Sequence, residues 1–247
     1  MLGGAGRGPE RPAIGMFFRA MAVHWFTASG AFAGILALEW AFARDFQVMF
    51  FWLALAFAID GIDGTLARRA RVREHAPHID GDLLDGVVDY LNYVIVPLAA
   101  IWSAGLMPGN LAIIAIGIVA SGSAVYFADR RTADYWFRGF PALWNVVALY
   151  LLVFPMPPWL VFTVLMALTI AMFAPIVFVH PMRVVRLRAV TQVFMLIWFL
   201  AAAVLVWNGF SGYWPARAVM VLVAIYFLVL PFFRGSLWAD SDGAPPK

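Results

Sequence analysis

The sequence contains no cysteine. That excludes a disulfide framework, a thiolate metal site and a cysteine nucleophile. Charge is also scarce. Asp, Glu, Lys and Arg make up 13% of the 247 residues, against 64% apolar residues and a mean hydropathy of +0.86. An ordinary soluble globule has about 25% charged residues, so this composition belongs to a chain that lives mostly in lipid. Acidic residues are fewest, and they are unevenly spread. Of 14 Asp and Glu, seven fall within residues 60–89: Asp60, Asp63, Glu74, Asp80, Asp82, Asp85 and Asp89. No internal repeat is present. The pI near 9.5 comes from arginines scattered among short loops, which points to membrane topology and anionic lipid rather than nucleic acid.

The apolar runs divide into eight spans, at about 20–43, 47–68, 81–103, 109–128, 141–154, 158–180, 189–208 and 215–233. Each is near bilayer length except the fifth. The predicted fold is therefore an all-α integral membrane protein, a single bundle of about eight transmembrane helices spanning residues 20–238. Residues 1–19 and 239–247 are expected to be flexible ends, and the first of these does not read as a signal peptide. With the N-terminus in the cytoplasm, all of the 17 basic residues except Arg44 and Arg217 fall on the cytoplasmic side. This asymmetry follows the positive-inside rule and supports the count.

The spacing of the acids is more informative than their number. Asp60, Asp63, Gly64, Ala67 and Arg68 stand at i, i+3, i+4, i+7 and i+8, one face of a helix. Gly81, Asp85 and Asp89 form a second such face at i, i+4 and i+8. A carboxylate within the bilayer costs about 2.5–3.5 kcal/mol on insertion scales, so such residues usually carry function. Bringing the two faces together places four carboxylates in one small volume. Hard divalent cations favour oxygen ligands, and two of them balance four negative charges. The thirteen residues from Gln47 to Ile59 rise about 20 Å, which puts Asp60 inside the membrane but short of the cytoplasmic surface.

These residues spell D-x-x-D-G-x-x-A-R followed by G-x-x-x-D-x-x-x-D, and this resembles the signature of the CDP-alcohol phosphotransferase family. The twelve-residue spacer between Arg68 and Gly81 is longer than in much of that family and resembles its choline-using bacterial branch. The flanking pieces at 24–30, 81–85 and 137–141 are similar to that branch too. The resemblance implies transfer of the phosphatidyl group of CDP-diacylglycerol to choline, with release of CMP. It implies two Mn²⁺ or Mg²⁺ ions held by Asp60, Asp63, Asp85 and Asp89, with Asp89 as the last ligand, the general base, or both. Gly64, Ala67, Arg68 and Gly81 would then bind the CDP-lipid, Gly64 by letting the nucleotide approach closely and Arg68 through phosphate oxygens. Asp82 lies on the same face as Asp85 and Asp89. It is either a residue orienting a ligand or a solvated helix start.

A quaternary ammonium is best held on aromatic faces, which nominates Tyr93, Tyr90, Tyr126 and Trp144 for choline. Trp136 is a further candidate. A phosphorylated acceptor such as glycerol phosphate would need a basic pocket, for which Arg130, Arg131, Arg138, Arg183, Arg186 and Arg188 are available, and serine and inositol are further alternatives. A metal or proton transporter is the reading from another class. It is disfavoured because the acids cluster on two spans without a repeat. The expected location is the bacterial inner membrane, with the active site facing the cytoplasm. The expected partners are CDP-diacylglycerol, choline and membrane lipid, no nucleic acid, and optionally a second copy in a homodimer.

Overall fold

Long apolar runs cut by Asp, Gly and Pro become helical rods, because lipid leaves the backbone no partner but itself. The computed structural model describes residues 14–129, 137–174, 177–178 and 188–229. In chain order the helices are α1 (Ile14–Phe42), α2 (Phe46–Ala70), α3 (Val72–His75), α4 (Gly81–Tyr90), a π-helical turn (Leu91–Ile95), α5 (Val96–Ser103), α6 (Gly109–Ala128), α7 (Trp144–Val153), α8 (Pro158–Met172), α9 (Arg188–Trp207) and α10 (Trp214–Val229). Two short extended pieces, β1 (Phe137–Arg138) and β2 (Val177–Phe178), pair antiparallel. The all-α expectation holds.

Since α4, the π turn and α5 form one continuous rod, there are eight rods among the described residues, at the eight predicted places. Five are long and apolar enough to cross a membrane: Ile14–Phe42, Phe46–Ala70, Gly81–Ser103, Gly109–Ala128 and Ala189–Trp207. The other three are shorter. Helix α7 has ten residues, which rise about 15 Å, half of a hydrocarbon core. Pro141 and Pro155 bound it on either side. The first rod begins at Ile14 rather than at residue 20, so the helix takes in residues assigned from sequence to the flexible end.

Local signals account for the helix ends. The Asp45 side chain accepts from the Val48 N–H at 3.2 Å and caps α2, and the Asp80 side chain accepts from the Asp82 and Leu83 N–H groups and caps α4. Arg71 takes the left-handed conformation (φ 48°) that stops α2. The twelve-residue spacer is therefore not a loose loop. It folds as the single turn α3, with Val72 and Ala76 buried against Ala20, Val23 and Ala70.

The rod Gly81–Ser103 is the axis of the bundle. Val94, Val96, Leu98, Ala100 and Ile101 are fully buried, packed on α1, α6 and α7. Helix α1 meets it through small residues. A Cβ on Gly30 would lie 2.8 Å from Val88 Cγ1, and one on Gly34 would strike Leu91 and Asn92. Close approach of two rods in lipid depends on such residues, because packing rather than hydrophobicity drives association there. Helices α9 and α10 pack on α7 through a separate cluster that includes Leu149, Val153, Leu205 and Met220.

Candidate active site

Helix α2 delivers Asp60 and Asp63 one turn apart, and α4 delivers Asp85 and Asp89 in the same way. The small face of α1 lets the rod carrying α4 settle close to it. The outcome is that Asp60, Asp85 and Asp89, all half-buried, each offer a carboxylate oxygen within 4.8 Å of the others. Asp63 is 7% exposed and does not join this trio at the same reach. Among the described residues none of the four carboxylates forms an ion pair; the two ion pairs found are Arg71–Glu74 and Arg73–Asp82. An all-oxygen, partly desolvated, uncompensated donor set suits a hard divalent cation, so the residues present fit the metal expected from sequence.

The other expected site residues are placed as follows. Gly64 is half-buried, and the Arg68 guanidinium folds back towards it, 3.5 Å from where a Cβ would be; its Nη2 donates to Thr65 Oγ1 at 3.0 Å. Arg68 is exposed, and Ala67 keeps the same face low. Gly81 opens α4 beneath the His24 imidazole, whose Cε1 lies 3.4 Å from a built Cβ. Asp82 is turned away from the trio: its carboxylate is 83% exposed and accepts two bonds from Arg73 Nη2, at 2.8 and 3.0 Å. Asp80 is the cap of α4.

The four aromatic candidates divide between the acidic site, which has Tyr93, and one apolar core, which Tyr90, Tyr126 and Trp144 share. The Tyr93 hydroxyl donates to Asp60 Oδ2 at 3.0 Å, so Tyr93 belongs to the acidic site itself. The Tyr90 hydroxyl donates to the Ala120 carbonyl at 2.9 Å, and its ring packs edge-on to Phe127. Tyr126 and Trp144 lie in the apolar core shared by α5, α6, α7 and α8. The Trp144 indole N–H donates to Ser123 Oγ at 2.9 Å, and its ring meets Phe140 edge-on. The Tyr126 hydroxyl is buried with no hydrogen-bond partner among the described residues. Trp136, Arg130, Arg131, Arg183 and Arg186 fall outside the described residues, as do the side chains of Arg138 and Arg188.

Two polar residues escaped the sequence reading. His24 is 6% exposed, its Nε2 has no hydrogen-bond partner among the described residues, and its ring lies next to Gly81 at the start of α4. Asn92 is buried; its amide donates to the Gly30 and Val88 carbonyls, pinning the π turn to α1. The signal for both was a lone polar residue within a long apolar run.

Fold and site together define a multi-pass helical membrane protein with an acidic trio, suited to a metal ion, between its second and third rods. No family model matches the chain. Curated relatives do. The chain is 41% identical over 182 residues to the phosphatidylcholine synthase of Mesorhizobium japonicum, covering 73% of this chain and 68% of that protein. It is 38% identical over 208 residues to that of Agrobacterium fabrum, covering 83% and 86%. To that of Pseudomonas aeruginosa it is 34% identical over 226 residues, covering 90% and 92%. The chain belongs to the phosphatidylcholine synthase family.

Proposed function

We propose that this chain transfers the phosphatidyl group of CDP-diacylglycerol to choline. The observation that carries the reading is the likeness to phosphatidylcholine synthases across nearly the whole chain, 90% of it in one case. The acidic trio supports where the chemistry takes place. The choline hydroxyl oxygen attacks the phosphatidyl phosphorus, the phosphorus–oxygen bond to CMP breaks, and the hydroxyl proton passes to a carboxylate. Asp89 takes that proton, because it lies one turn further into its rod than Asp85 and sits beside Asp60 and Asp85. Asp60, Asp85 and Asp89, with Asp63 one turn from Asp60, would hold two Mn²⁺ or Mg²⁺ ions. Bound divalent cations supply charge neutralisation for the pyrophosphate and stabilise the leaving phosphate. Gly64, Ala67 and Gly81 provide low backbone beside the nucleotide, and Arg68 swings from Thr65 to the phosphates.

The site opens to the cytoplasm of the inner membrane. The basic loop 68–75 beside it and the arginine asymmetry of the whole chain support that side.

Purified enzyme with CDP-diacylglycerol and a panel of labelled choline, serine, inositol and glycerol 3-phosphate tests the reading. Choline alone is expected to yield lipid product, with activity lost in excess chelator and restored by Mn²⁺ or Mg²⁺. A clear preference for another alcohol overturns the choline assignment. Full activity in excess chelator overturns the metal assignment.

A further inference from the structure

The Tyr93 hydroxyl is already engaged. It donates to Asp60 Oδ2 at 3.0 Å across 33 residues of sequence, joining the rod of Asp85 and Asp89 to the helix of Asp60. A donor fixed on one carboxylate oxygen sets the torsion of that carboxylate and leaves the other oxygen for a ligand. Such contacts behind a metal-binding carboxylate typically change metal affinity by about 10–100-fold when removed.

Tyr93 is itself placed by an irregularity in its rod. It sits within the π turn Leu91–Ile95, where the Val96 N–H reaches back to the Leu91 carbonyl. Pro97 follows, with no N–H to give and a ring that crowds the carbonyl four residues before it, that of Tyr93. The wider turn relieves that crowding and keeps the rod continuous. Asn92 locks the turn, donating to Val88 O at 3.0 Å and across to Gly30 O on α1 at 3.2 Å. Tyr93 stands four residues after Asp89 on this rod, and its hydroxyl crosses to α2, where its partner Asp60 lies beside Asp89.

We infer that Tyr93 is a positioning residue of the acidic site, holding Asp60 for a divalent cation, and not part of a choline cage. The inference rests on the reading of Asp60, Asp85 and Asp89 as cation ligands. Purified full-length enzyme is titrated with Mn²⁺ alone and followed by electron paramagnetic resonance, with choline KM measured separately at saturating Mn²⁺. Tyr93→Phe keeps the ring and loses the donor. It is expected to bind Mn²⁺ at least tenfold more weakly, with choline KM within twofold of the original. Tyr93→Gln keeps a donor and loses the ring. It is expected to bind Mn²⁺ more tightly than Tyr93→Phe and also to leave choline KM unchanged. Mn²⁺ affinity of Tyr93→Phe within twofold of the original overturns the inference. So does a Tyr93→Gln enzyme with full Mn²⁺ affinity and a choline KM raised tenfold. If the unsubstituted enzyme binds no Mn²⁺ at all, the cation reading falls first and this inference with it.

Discussion

Asp89 and Asp60 illustrate what one residue in lipid can be asked to do. Both are half-buried acids on apolar helices, and neither has a cationic partner among the described residues. Isolated, each would be costly to keep charged. Together with Asp85 they form a site whose charge a cation can offset. The roles separate by substitution. Asp89→Asn keeps the shape and one acceptor oxygen but cannot take a proton. Its kcat is expected to fall by at least about a hundredfold, the usual reach of general-base loss, while CDP-diacylglycerol still binds by calorimetry within a few-fold of the original affinity. Turnover within threefold of the original would move the base to another residue. The aspartates were legible in the sequence because a carboxylate stands out in a chain of so few charges. Tyr93 was legible only as an aromatic ring near Asp89. Its hydroxyl finds a partner on another helix, and no spacing within one helix reports that. The burial of Trp144 and Tyr126 was not legible for the same reason, because it depends on packing between rods.

The element scale shows where periodicity helps and where it stops. Eight apolar runs became eight rods, and the predicted breaks at residues 104–108 and 155–157 fall between them. The π turn was not legible, because Pro97 alone is equally compatible with a kink or a helix end. What decides for the wide turn is Asn92, whose amide ties it to α1, and the glycines that let α1 come that close. A methyl group on Gly34 would press on Leu91 and Asn92, next to the turn. Gly34→Ala is therefore expected to destabilise the protein by about 1–3 kcal/mol, the usual cost of overpacking. Thermal unfolding of the detergent-purified protein measures it. Gly117 is the control: it is exposed in mid-helix, and a Cβ there meets nothing within 4 Å. Gly117→Ala should be neutral or slightly stabilising, because alanine is the better helix former. If both variants unfold alike, the contact of α1 with the π turn is not the constraint described here.

At the scale of the whole molecule, the joints sort to two ends. One end collects Arg44, whose Nη2 donates to the Ala104 carbonyl at 3.2 Å, and Gln47, whose Nε2 donates to the Val206 and Trp207 carbonyls at 2.8 and 2.9 Å. Those bonds reach carbonyls at helix ends, and they draw the α1–α2, α5–α6 and α9–α10 joints together. The Arg217 Nη2 bond to the Phe210 carbonyl belongs to the same end. Arg44 and Arg217 are the two basic residues that the charge asymmetry places outside. The two therefore lie at one end of the molecule. The opposite end of α2 carries Arg68, Arg69 and the α3 turn, beside the acidic trio. The absence of cysteine from the sequence makes the sidedness directly measurable, since any introduced thiol is unique. Glu74 on α3 and Ser211 between α9 and α10 are both exposed. In intact cells, with the outer membrane made permeable, Ser211→Cys is expected to react with a membrane-impermeant maleimide. Glu74→Cys is expected to react only after the inner membrane is opened. Labelling of both from outside, or of neither, would break the eight-span arrangement. Labelling of Glu74→Cys alone would keep the two ends and turn the molecule over, overturning the proposed cytoplasmic opening of the acidic site.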